Sequence, residues 1–210
     1  MEKIDLDIVR NAMTYKKYIS AIKNLLLQGE VSTKGTFSGN QMLHYTEFNL
    51  QRMNELDKTI QLTHDTLKRL KLIDKPTIWL VITEGWCGDA GQIVPVVEKM
   101  AQQNPNIIHR LIFRDEHLNI IDAFLTDEGR SIPKLIVLNV DGTVLTSWGP
   151  RPQSLQTIIQ EEKAKMREMS KEERKAYFEV LKTMVHTWYE KDKTQSIQKE
   201  LLDSLMPIKS

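Results

Sequence analysis

The chain has 210 residues, enough for one domain of ordinary size with extensions or for two small ones. Hydrophobic residues make up 40% and charged residues 27%, the profile of a globular protein, and no apolar run approaches the roughly 20 residues that span a bilayer. Lys and Arg total 29 against 28 Asp and Glu, so net charge draws the chain to neither nucleic acid nor a membrane. The N-terminus alternates charge with aliphatics and has no apolar signal-peptide core. One cysteine excludes an intramolecular disulfide and fits a reducing compartment, most simply the cytoplasm. The histidines show no metal-ligand spacing, so neither a metal nor another cofactor is expected.

In chain order, Ile8, Ala12, Tyr15, Ile19, Ile22 and Leu26 recur at helical spacing and predict one helix ending near Gly29. "EVSTKGTFSGN" reads as a polar loop. Residues 40–72 read as a second helix, with Leu56, Ile60, Thr63, Leu67 and Leu70 on one stripe, closed before Pro76. "TIWLVIT" (77–83) is a short apolar run rich in β-branched and aromatic residues, hence a strand buried on both faces. From Cys87 to about Gln103, Ala90, Ile93, Val94, Val97, Met100 and Ala101 form one helical face. "IIHRLIF" (107–113) predicts a second strand, "DEHLNIIDAFL" a short helix, and "PKLIVLNV" (133–140) a central strand. Asp141-Gly142 turns the chain into a returning strand, 143–148. Helices follow at 153–167, after a Ser170/Glu173 capping box, and at the end, where Ile197, Leu201, Leu202 and Leu205 share a face. The helix after the capping box carries Tyr177, Leu181, Met184, Val185 and Trp188 on one side. Strands joined through helices are expected parallel and the hairpin antiparallel, giving an α/β mixed sheet covered by helices. The division expected is a helical extension (1–75), a central domain (76–168) and a C-terminal helical extension (169–210), packed as one unit.

The candidate chemistry lies in "TEGWCGDAGQIVP" (83–95). Trp86-Cys87-Gly88 falls at a strand-to-helix junction, Pro95 lies eight residues on, and "RSIPKLIVL" precedes a central strand. These residues resemble the thioredoxin-like superfamily over about 76–165. With "YTEFNLQRMNELDKT" upstream they look closer still to a bacterial group of thioredoxin family proteins with a single cysteine in a Trp-Cys-Gly-Asp-Ala motif. The resemblance implies Cys87 as the reactive thiol, a cis Ile132–Pro133 bond beside it, and supporting or substrate-binding roles for Trp86, Gly88, Asp89, Ile132, Pro133 and Lys134. The departures are equally specific. Ala90 replaces the resolving cysteine, Asp89 stands where proline is common, Val81 replaces a buried aspartate, and Lys134 follows the proline in place of threonine.

A cysteine at a helix start feels unpaired N–H groups that favour its thiolate, and its pKa can fall from about 8.5 to about 7 or lower. Asp89 opposes this and Lys134 offsets it only if its ammonium swings toward the sulfur, so a moderately lowered pKa is expected. Without a second cysteine, release of a mixed disulfide needs an external thiol. The resulting expectation is monothiol exchange, reducing mixed disulfides or sulfenic acids, with thiol- or disulfide-containing proteins or low-molecular-weight thiols as partners. The alternatives are a binding or scaffold module that keeps the fold without turnover, and a glutathione-transferase-like conjugating enzyme, for which the C-terminal tail is short. The plainer readings are a buried structural cysteine, Asp89 as a helix-start carboxylate, a solvated Lys134, Glu84 as an exposed loop charge, and Trp79, Trp148 and Trp188 as core or half-buried anchors.

Overall fold

The computed structural model describes residues 3–33 and 39–205, so part of the polar loop expected at 30–40 lies outside the described residues. In chain order the elements are α1 (Leu6–Asn11), α2 (Tyr15–Leu27), α3 (Asn40–Thr59), α4 (His64–Leu70), β1 (Thr77–Thr83), α5 (Gly88–Ala101), β2 (Ile107–Phe113), α6 (Leu118–Ile121), β3 (Lys134–Asn139), β4 (Val144–Trp148), α7 (Gln153–Met166), α8 (Lys171–Asp192) and α9 (Gln195–Leu205). The four strands form one mixed sheet in the order β2-β1-β3-β4. The two apolar runs at 77–83 and 133–140 supply its central strands. Trp79, Leu80 and Ile82 of β1 have no exposed surface, and Ile136 and Leu138 of β3 have none either.

β1 and β2 run parallel through α5, from Thr77 opposite Ile107 to Thr83 opposite Phe113. β3 departs from the expected direction: it is antiparallel to β1, with Ile82 opposite Lys134 and Thr77 opposite Asn139. The correction goes with the shortness of the connecting helix. A strand of seven residues spans about 23 Å, whereas the four-residue α6 advances about 6 Å. Residues 114–133 are long enough to cross the sheet but form no helix as long as a strand to pack along it; they deliver β3 at the end where β2 finishes, and β3 runs back.

The single helices expected at 8–28 and 40–72 are each two. Thr14 Oγ1 accepts from Lys17 N–H and starts α2 afresh, while Met13 exchanges two backbone hydrogen bonds with Leu111 (2.9 and 2.8 Å). That pair covers the open edge of β2, a gain that continuing the helix would forfeit. Thr63 likewise caps α4, and its own N–H is held by Gln198 of α9. The capping box at Ser170 and Glu173 is present. The apolar stripe of α8 is narrower than expected: Leu181 and Tyr189 are buried, Val185 and Trp188 half-buried, and Met184 exposed. One continuous apolar core runs from Ile4 to Leu202 and takes in all four strands' neighbours, α9 included.

Candidate active site around Cys87

The turn between β1 and α5 is built by close packing from two earlier helices. A Cβ on Gly85 would lie 3.1 Å from Thr46 of α3 and 3.2 Å from Ile22 of α2, so a larger residue would press on both. Asn49 of α3 donates to Gly85 C=O at 3.0 Å, and its side chain sits where a Cβ on Gly91 would need room (3.1 Å). Asn49 is thus the clamp between α3 and the thiol turn. Nothing in its own stretch of sequence, which is polar, marks it for that role.

Cys87 caps α5 with extended backbone (φ −76°, ψ 117°). The Ala90 and Asp89 amides favour a thiolate, but no side-chain cap forms. Instead the thiol donates to Ile132 C=O at 3.3 Å. Ile132 and Pro133 are buried, and the peptide bond joining them is cis. Gly88 is exposed, and Ala90, about one turn after Cys87, is buried. Cys87 is only 8% exposed. Burial, with Asp89 adding to it, pushes its pKa up to about 12, which corrects the lowered value expected from the helix start alone. Desolvation outweighs the helix-end amides.

The two charged neighbours also differ from expectation. Lys134 neither lies in solvent nor faces the sulfur. It is 5% exposed, and its ammonium donates to Thr126 Oγ1 (2.6 Å) and Gly149 C=O (3.2 Å), with burial lowering its pKa. It pins the segment before β3 to the end of β4. Asp89 does more than start a helix. Its Oδ2 accepts from Arg151 Nη2 (2.5 Å) and Nε (3.0 Å), and its Oδ1 from the Tyr189 hydroxyl (2.7 Å). Arg151 goes on to Gln156 at 2.6 Å. Sequence reasoning missed Arg151 and Tyr189. The prolines flanking Arg151 in "GPRP" mark a stiff loop, but nothing local says that its arginine reaches Asp89.

Glu84 is the largest departure. In place of an exposed loop charge, the residue has no exposed surface. Its carboxyl accepts from the Ser32 hydroxyl and from Asp115 N–H (3.0 Å). Burial raises its pKa to about 7 against these bonds. Trp86 is half-buried beside it. Its indole N–H donates to Thr33 Oγ1 at 2.7 Å, and Arg114 lies 5.1 Å from its ring centre. Trp79 is fully buried and Trp148 and Trp188 are half-buried, as anchors should be.

Gly149 completes the floor. Its φ is +114°, and a Cβ there would stand 2.4 Å from Pro133 C=O. Only glycine fits both the backbone and the space. Gly149→Ala should lower stability by about 2 kcal/mol, measurable by urea unfolding, with the Cys87 environment disturbed at the same time.

Among the described residues no group of His, Cys, Asp and Glu is placed to hold a metal ion, and no helix is long and apolar enough to cross a membrane. A lone thiol at the strand-to-helix turn of a helix-covered mixed sheet, beside the chain's entry into β3, defines a thioredoxin-like protein. Residues 36–167 match the family model described as Thioredoxin, and the chain belongs to that family. The match takes in α3 and α4 as well as the sheet. Among solved structures, the chain is similar to a protein of unknown function from Pseudomonas aeruginosa (14% identity, 99% of each chain covered, TM-score 0.58). It is similar also to an HIV epitope scaffold (15% identity, 96% of this chain and 97% of that one, TM-score 0.57). Both likenesses extend over the helical ends and concern the fold. No curated protein matches the chain.

Proposed function

We propose that this protein carries out monothiol disulfide exchange through Cys87, with an external thiol completing each turnover. The observation that carries this reading is the seat of the sulfur. It lies at the start of α5, faced by the Asp89 and Ala90 amides and 3.3 Å from Ile132 C=O, with a buried alanine where a second sulfur would stand. The Cys87 proton leaves to solvent and the thiolate attacks one sulfur of a disulfide. A Cys87–sulfur bond forms as the disulfide bond breaks, and the partner departs as a thiolate. An external thiolate then attacks the mixed disulfide and frees Cys87. That attack leaves the substrate joined to the external thiol; a second external thiolate displaces the substrate thiol and departs as the oxidised external disulfide, so both electrons come from outside. The partners are proteins with accessible disulfides and low-molecular-weight thiols, met in a reducing compartment such as the cytoplasm. Nucleic acid and membrane have no part in it.

A second reading, a thioredoxin-fold binding module without turnover, is favoured by the burial of the thiol and its pKa of about 12. Disulfide reduction of an insulin-type substrate separates the two. With added monothiol, the unmodified chain should exceed Cys87→Ser, and Ala90→Cys should gain activity that needs less added thiol. Equal rates for the unmodified chain and Cys87→Ser with every thiol support the binding module.

A further inference from the structure

The two C-terminal helices are fastened unequally. α9 is tied at three places. Gln198 accepts from Thr63 N–H (2.9 Å) and donates to Gln61 C=O (3.1 Å), Asp203 pairs with Arg69 (2.8 Å), and Glu200 takes the Gln153 N–H at 3.0 and 2.9 Å. α8 is 22 residues long, yet only Leu181 and Tyr189 are buried. Its Phe178, Val180 and Met184 face solvent. Tyr177 to Glu162 (2.5 Å) and Lys182 to Tyr45 (2.7 Å) join it to α7 and α3. Tyr189 makes the hydrogen bond from α8 to the thiol region: its hydroxyl donates at 2.7 Å to Asp89, two residues from Cys87, and a charge on Cys87 would bear on it, while His186 on the same helix also feels the Asp89 charge. A helix with so little buried surface opens at a lower free energy than the core beneath it.

We propose that α8 is a releasable cover over Cys87, latched by the hydrogen bond from Tyr189 to Asp89, and that its release without global unfolding admits a disulfide to the thiol. This rests on Cys87 being an exchange thiol. Release takes the tyrosine off Asp89 and opens the thiol turn to water, so the thiolate forms where it was suppressed.

The test follows labelling of Cys87 by iodoacetamide in the full chain across low urea concentrations. A local opening gives a labelling rate that depends far less on urea than global unfolding does, because little surface is exposed. Tyr189→Phe removes a hydrogen bond to a carboxylate and should speed labelling about tenfold or more. Tyr15→Phe removes a bond of the same kind, to Asp57 at 3.0 Å, from a site on α2 and α3 and should leave labelling unchanged. Labelling with the urea dependence of global unfolding overturns the cover. So does equal acceleration by both variants, or none by Tyr189→Phe. Fast labelling of Tyr189→Phe without any disulfide exchange upholds the cover and rejects the exchange reading, so the two stand or fall separately.

Discussion

Iodoacetamide will label Cys87 of the folded protein at pH 7 roughly a thousandfold more slowly than it labels a free cysteine. A free thiol titrates near 8.5, so about 3% is thiolate at pH 7. Cys87, with its pKa pushed up to about 12, holds only about one part in 100,000 as thiolate in the closed state. Opening of the site raises the observed rate above the closed-state limit, which is why the expected deficit is set at a thousandfold. The folded-state rate should keep rising with pH through about 10.5, where a free thiol with a pKa of about 8.5 has levelled off. A plateau near pH 7 would mean that the helix-end amides win over burial.

Replacing Glu84 by Gln should stabilise the protein at pH 8 by about 3 kcal/mol relative to its stability change at pH 4. The Glu84 carboxyl is raised from an ordinary value of 4.5 to about 7 by burial. The folded state therefore holds this proton more tightly than the unfolded chain does. The stabilisation tied to the protonated form is fully present below about pH 4.5 and is lost as pH rises through 7, at about 1.4 kcal/mol for each pH unit between those values. Glutamine keeps an oxygen for the Asp115 N–H and never ionises, so the variant's stability should be flatter between pH 4.5 and 7. Urea unfolding at pH 4, 6 and 8 measures this. An unchanged pH slope would place the Glu84 proton elsewhere.

How much of this is legible in the sequence depends on how local the cause is. β1 and β3 announce themselves because strands buried on both faces must be continuously apolar, and "TIWLVIT" and "LIVL" are. Cys87 and Pro133 are legible from short motifs. The direction of β3 is not, because the segment between β2 and β3 is long enough for either direction and the shortness of its helix, α6, is not legible where helix boundaries are soft. The breaks at Ala12 and Ile60 are hidden because the apolar spacing carries across them. The caps Thr14 and Thr63 mark them only once Leu111 and Gln198 are in place. The charges around the thiol are the least legible. Glu84, Asp89 and Lys134 each look like a surface residue, yet each is buried or half-buried by partners 8 to 100 positions away, as Lys134 is by Thr126 and Asp89 by Tyr189. Burial, with Asp89, also reverses the pKa of Cys87 against the helix-start amides.

The most direct measurement is intact-mass analysis of the full chain after incubation with a low-molecular-weight disulfide, then with its thiol. Monothiol exchange requires one adduct per chain, on Cys87, which the added thiol removes and which Cys87→Ser never forms. A chain that stays unmodified through long incubation, in Tyr189→Phe as well as in the native sequence, would contradict it.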